Sequence, residues 1–120
     1  MREGLAVLAP FLAEGVQGRM APTLAGRMLG TVGLAHWRLA EVGQAIGYYE
    51  QRLVIAREIG DRRGEGSALG NLGIAYKDLG QVEKAAALLQ QARSIGEQIR
   101  DPQMVRIATA ALAGLQPPAG

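Results

Sequence analysis

The stretch that decides the fold is Gly66–Asp101, GSALGNLGIAYKDLGQVEKAAALLQQARSIGEQIRD. At a shift of 40 residues, Gly26–Asp61, GRMLGTVGLAHWRLAEVGQAIGYYEQRLVIAREIGD, lies over it without a gap. Twelve of the 36 pairs are identical: Gly26/Gly66, Leu29/Leu69, Gly30/Gly70, Gly33/Gly73, Ala35/Ala75, Leu39/Leu79, Val42/Val82, Ala45/Ala85, Gln51/Gln91, Ile55/Ile95, Ile59/Ile99 and Asp61/Asp101. A copy at fixed period marks a repeat architecture, in which each unit buries its apolar face only against its neighbours.

Inside the second copy, Leu69, Leu72, Gly73 and Tyr76 fall at i, i+3, i+4 and i+7, one stripe of an α-helix. The spacing predicts a first helix over about 65–79, ended by Gly80, because glycine tolerates a left-handed C-terminal residue. A second helix over about 82–99 would bury Ala85, Leu88, Leu89, Ala92, Ile95 and Ile99. Asp101-Pro102 then stops it and opens another helix, with Asp as N-cap and Pro in the first turn. The earlier copy predicts a helix to Ala40, a turn near Val42-Gly43 and a second helix to Gly60-Asp61. The 17 glycines are many for a helical chain, since each interior one costs about 0.5–1 kcal/mol relative to alanine. Gly33 and Gly73 occupy one repeat position facing Ala45 and Ala85, where small residues let two helix backbones approach. Gly70–Gly73 follows no predicted strand, so a phosphate-cradling loop is not expected there.

Working outward, the expected organisation is a single domain over 1–120: a flanking helix at 4–18, repeats at 24–61 and 64–101, a terminal helix at 102–115 and a tail at 116–120. Leu5, Leu8, Ala9, Leu12 and Val16 form the stripe of the flanking helix, making about six helices in all. Apolar end helices such as 107–115 predict an uncovered face, hence either a longer array or a homo-oligomer through the end helices.

Composition narrows the function classes. Hydrophobic residues at 48% and charged residues at 20% describe a foldable chain, while aromatics at 4% leave the packing to Ala, Leu and Gly. The net charge of +2 comes from scattered basic residues interleaved with acidic ones, so a nucleic-acid interface is not expected. The absence of cysteine removes disulfides and thiolate chemistry, and a cytoplasmic protein is expected. No uncharged run reaches the ~20 residues of a membrane span, and Glu3, Pro10 and Glu14 argue against a secretory signal.

Leu69-x-x-Leu72-Gly73-x-x-Tyr76, followed by Ala85, Leu89 and Ala92, closely resembles the tetratricopeptide pattern. The 40-residue period resembles the longer-helix variety, found in cell-polarity G-protein regulators and bacterial multi-repeat signalling proteins. The resemblance covers roughly 24–115 and implies an all-α, right-handed α-solenoid of antiparallel helix pairs. The first copy departs from the pattern at His36, in the aromatic place, and at Arg52, in the small-residue place matched by Ala92.

The resemblance also implies a non-catalytic scaffold for protein–protein interaction, binding a partner protein or peptide through its concave face, with no cofactor. The inward residues it implies are Arg27, Gly30, Leu34, Trp37 and Arg38, then Ser67, Gly70, Ile74, Lys77 and Asp78, then Arg106, Ile107 and Ala110. Of these, Arg27, Leu34, Trp37, Arg38, Ile74, Lys77, Asp78 and Arg106 are the candidate contacts, an apolar and cationic set suited to a peptide with apolar anchors and some acid character. Trp37 is either a groove residue or a packing residue, and Trp37→Ala is expected to weaken partner binding with little loss of fold. Arg57, Arg62 and Arg63 read as ordinary surface residues near a helix end, where cations suit the C-terminal dipole. The chaperone-tail carboxylate clamp needs Lys and Asn at places that here hold Gly30, Leu34, Gly70 and Ile74. The polarity-regulator style has Asn after Leu-Gly, where this chain has Leu34 and Ile74. His36 is the only histidine and sits in a packing position, so neither a His-pair metal site nor enzymatic activity is expected.

Overall fold

In the computed structural model, which describes residues 20–115, every helix after the second, which starts at Val42, begins 20 residues after the one before it. The helices are α1 Met20–Arg38, α2 Val42–Ile59, α3 Arg62–Asp78, α4 Val82–Gln98 and α5 Pro102–Leu115. There is no strand among the described residues, and the expected flanking helix at 4–18 lies outside them. The 40-residue period is therefore two near-equal halves, each a helix and a tight turn.

All four turns close in the same way. The amides of Glu41, Asp61, Gln81 and Asp101 donate to the carbonyls of His36, Ala56, Tyr76 and Gly96 at 2.8–2.9 Å. Each bond spans five residues and requires a left-handed residue just before its donor. Those residues are Ala40, Gly60, Gly80 and Arg100, with φ of 64°, 71°, 78° and 57°. The turn between α1 and α2 is thus Leu39–Glu41 and not Val42-Gly43, which lie inside α2.

Two of the starts are capped by aspartate. Asp61 accepts from the Gly64 amide at 2.9 Å and Asp101 from the Met104 amide at 3.1 Å. The cap draws the start of α3 back to Arg62, ahead of the Glu65 expected from periodicity. Arg62 and Arg63 consequently occupy the first turn of α3, the end of the dipole that disfavours cations. Acidic and polar neighbours offset this: Arg62 pairs with Glu65 at 2.9 Å and bonds Gln98, while Arg63 pairs with Asp101. Arg57 reaches Glu65 from α2 at 3.2 Å.

Each helix packs on the next in sequence, and α1 and α5 also touch α3. Two clusters form the core. Ala45, Ile46 and Tyr49 of α2 meet Leu72 and Ala75 of α3, while Leu69, Ala92, Ile95 and Ala108 join α3, α4 and α5. Leu53 and Leu88 pack against both clusters, so the core is continuous along the array. The mid-helix glycines sit at the closest approaches. A Cβ on Gly73 would stand 2.6 Å from Leu89 Cγ, and one on Gly33 would stand 2.7 Å from Tyr49 Cε1. Gly33 thus makes room for Tyr49 and Tyr48 and not for Ala45, because the first copy carries tyrosines where the second has leucines. The architecture is an all-α solenoid of antiparallel helix pairs.

Candidate functional site

The first helices of successive units, α1, α3 and α5, leave a strip of half-buried residues between them. Leu34 and Trp37 of α1, Tyr49 of α2, and Asn71 and Ile74 of α3 line one depression. Ser67, Gly70, Asn71 and Ile74 of α3 continue into a second, closed on the far side by Gln103, Met104 and Ile107 of α5. That second hollow is open at its mouth and holds about 550 Å³ of empty space, the solvent at the mouth included. Asn71 and Ile74 belong to both, so the two depressions are one groove. The small residues explain its depth, since Gly70 leaves Ala92 as the floor, 3.9 Å from where a Cβ would lie.

The candidate contacts divide on inspection. Leu34 and Ile74 line the groove directly. Trp37 does two things at once: its ring borders the groove and packs against the first core cluster, and its Nε1–H donates to Asp78 Oδ2 at 2.6 Å. This bond ties α1 to α3 across 41 residues, so Trp37→Ala would cost stability as well as contact area. Asp78 is correspondingly engaged. Lys77 is half-buried on α3, while Arg27 and Arg38 are exposed on α1. Arg106 lies apart from the groove, beside Gly96, Glu97 and Arg100 at the α4–α5 junction. The reason is register: Arg106 falls at the repeat position of Gly26 and Gly66, one residue before the groove-lining position of Ser67 and Ile107.

One polar contact between the units was hidden in the sequence. Arg52 leaves α2, crosses over Gly30 and donates from Nη1 to Ser67 Oγ at 3.2 Å. A Cβ on Gly30 would stand 2.7 Å from that nitrogen, so glycine is what admits the side chain. Burial lowers the Arg52 pKa from its ordinary value; nearby Asp61 works against the shift and nearby Arg27 adds to it. The signal was its departure from the small residue that Ala92 supplies in the other copy.

His36 is held by packing. Its ring stacks on Tyr48 at 5.2 Å between centroids, and Nδ1 lies 2.6 Å from Glu41 Oε1. Among the described residues no polar or charged residue is buried, no group of three His, Asp or Glu stands close enough to hold a metal ion, and no helix is long and apolar enough to cross a membrane.

Known proteins match this repeat. The family model described as tetratricopeptide repeat matches residues 24–98, well over half of the chain. The chain belongs to the tetratricopeptide repeat family. Among curated relatives, human G-protein-signaling modulator 1 is 50% identical over 42 residues, 35% of this chain and 6% of the relative. Mouse tetratricopeptide repeat protein 28 is 38% identical over 56 residues, 47% of this chain and 2% of the relative. The chain thus spans a few per cent of the length of either relative. Tetratricopeptide arrays are generally non-catalytic and serve protein–protein interaction.

Proposed function

We propose that this tetratricopeptide array holds an extended or helical segment of a partner protein in the groove between α1, α3 and α5. The observation that carries the reading is the continuity of the groove through Asn71 and Ile74, with apolar walls from Leu34, Met104 and Ile107. A run of half-buried apolar side chains with a few polar groups along it suits a peptide with apolar anchors. Leu34 and Ile74 belong to neither core cluster, so they are open to substitution without dismantling the fold. Panning a randomised dodecamer display library on the full chain supplies ligands. Binding of the selected peptides should fall by roughly tenfold or more in Leu34→Glu and Ile74→Glu, with helical circular dichroism unchanged. Undiminished binding by both variants would reject the groove.

A second reading has its own observation. Leu24 and Met28 of α1 are 47% and 41% exposed, whereas their counterparts Gly64 and Ala68 in α3 are buried. Self-association through this face would cover it, and sedimentation at high concentration would show a dimer; a strict monomer disposes of the idea.

A further inference from the structure

Helix α1 carries an apolar seam left open among the described residues. Leu24, Met28, Val32 and Ala35 fall at i, i+4, i+8 and i+11, on one face of the helix. Leu24, Met28 and Ala35 are exposed and Val32 is half-buried. Forty residues on, Gly64, Ala68, Leu72 and Ala75 of α3 are all buried. Leu72 and Ala75 form one cluster with Ala45, Ile46 and Tyr49 of α2. Forty further still, Ala108 of α5 is buried with Ala92 and Ile95 of α4. In both later units, then, this face of a first helix is covered by the helix that precedes it. For α1 that cover would have to come from residues 1–19.

We propose that residues 4–18 form a helix, bent at Pro10, whose apolar face docks on the Leu24–Ala35 seam of α1 in the same chain. The repeat register supports this occupant. Eighty residues before Ala85, Leu89, Ala92 and Gly96, four of the residues that α4 buries, stand Leu5, Ala9, Leu12 and Val16. Leu8 answers to Leu88, which packs against both core clusters. Size is exchanged across the contact. Ile95 and Ala108 share one cluster, and their places eighty residues earlier hold Gly15 and Met28, small for large and large for small. Pro10 falls at the position of Glu50 and Gln90, both exposed, so its bend is placed on the solvent side and leaves the apolar face whole. Residues 1–19 are enough for a helix as long as the 18 residues of α2. Docking of this segment is independent of the groove, and it puts the chain's own residues where self-association would put a second copy.

Amide hydrogen exchange on the full chain, followed at micromolar and at near-millimolar protein, tests the docking. In wild type the amides of residues 11–17 should exchange about tenfold or more slowly than those of an undocked terminus, whose opening costs close to nothing. The protection should be the same at both concentrations. Met28→Glu and Leu12→Glu should each abolish it while α3–α5 stay protected, and Ile74→Glu in the groove should leave it unchanged. Because Leu12 lies outside α1–α5, its variant tests the contact even where Met28→Glu disturbs α1. Exchange at coil rates over residues 11–17 of wild type overturns the docking, and so does protection that survives both glutamate variants. Protection seen only at the higher concentration, together with a dimer in sedimentation, gives the seam to a second copy and overturns it as well.

Discussion

At the residue scale, glycines of one chemical type have opposite meanings, and substitution separates them. Alanine at Gly73 gains helix propensity of about 1 kcal/mol but drives a Cβ into Leu89 and within 3.3 Å of the Ala85 carbonyl oxygen. Overpacking of about 1–3 kcal/mol wins, so Gly73→Ala should lower the denaturation midpoint. Gly47 in α2 has nothing within 4 Å of its would-be Cβ, and Gly47→Ala should raise stability by about 0.5–1 kcal/mol. Urea titration of the two variants gives shifts of opposite sign. The left-handed turn residues make a second pair of cases. Ala40 does in the first unit what Gly80 does in the second, against the steric penalty of its Cβ. Ala40→Gly should therefore stabilise by about 0.5–1 kcal/mol, read by the same titration. This turn was misplaced in the sequence because alanine carries no left-handed signal; the 40-residue match to Gly80 was the clue. Arg52 was visible only as a departure from pattern, since the path of a long side chain over Gly30 depends on packing that spacing does not encode. Arg106 was legible in principle, standing 40 and 80 residues beyond two packing glycines.

At the scale of elements, the caps and the cross-helix bonds set how one unit meets the next. The bond from the Met104 amide does most to hold the Asp101 carboxyl below its ordinary range, with Arg63 adding to the effect. A depressed folded pKa means that the carboxylate's contribution is complete above the unfolded value of about 3.9. It is lost as pH falls through the folded value. Asp101→Asn should accordingly lower the melting temperature at pH 7 and make little difference near pH 2, measured by thermal melts at both. Trp37 and Asp78 offer the other element-scale test. Trp37→Phe keeps an aromatic ring but removes the donor, and should cost about 1 kcal/mol. In a double-mutant cycle with Asp78→Ala the two losses should not add, because each removes the same bond. The stripes of Leu69, Leu72, Gly73 and Tyr76 and of Ala85, Leu89, Ala92 and Ile95 were readable because a helix face has one period. The start of α3 was not, because an aspartate cap extends a helix beyond its apolar stripe.

At the scale of the whole molecule, one device is repeated. A helix of 14–19 residues, a left-handed closure and a return place every first helix on one side. The core runs through the array along Leu53 and Leu88, and the groove runs beside it along Asn71 and Ile74. The repeat told which residues lie on that side; it did not tell that Trp37 and Asp78 already hold each other, a pairing between neighbouring units. The most direct test of the peptide groove is a chemical-shift map of the isotope-labelled chain titrated with a library-selected peptide. The account predicts perturbations at Leu34, Asn71, Ile74, Gln103 and Ile107, with silence at Val54, Gln90 and Gln91 on the second helices. Perturbations centred on α2 and α4 would contradict it.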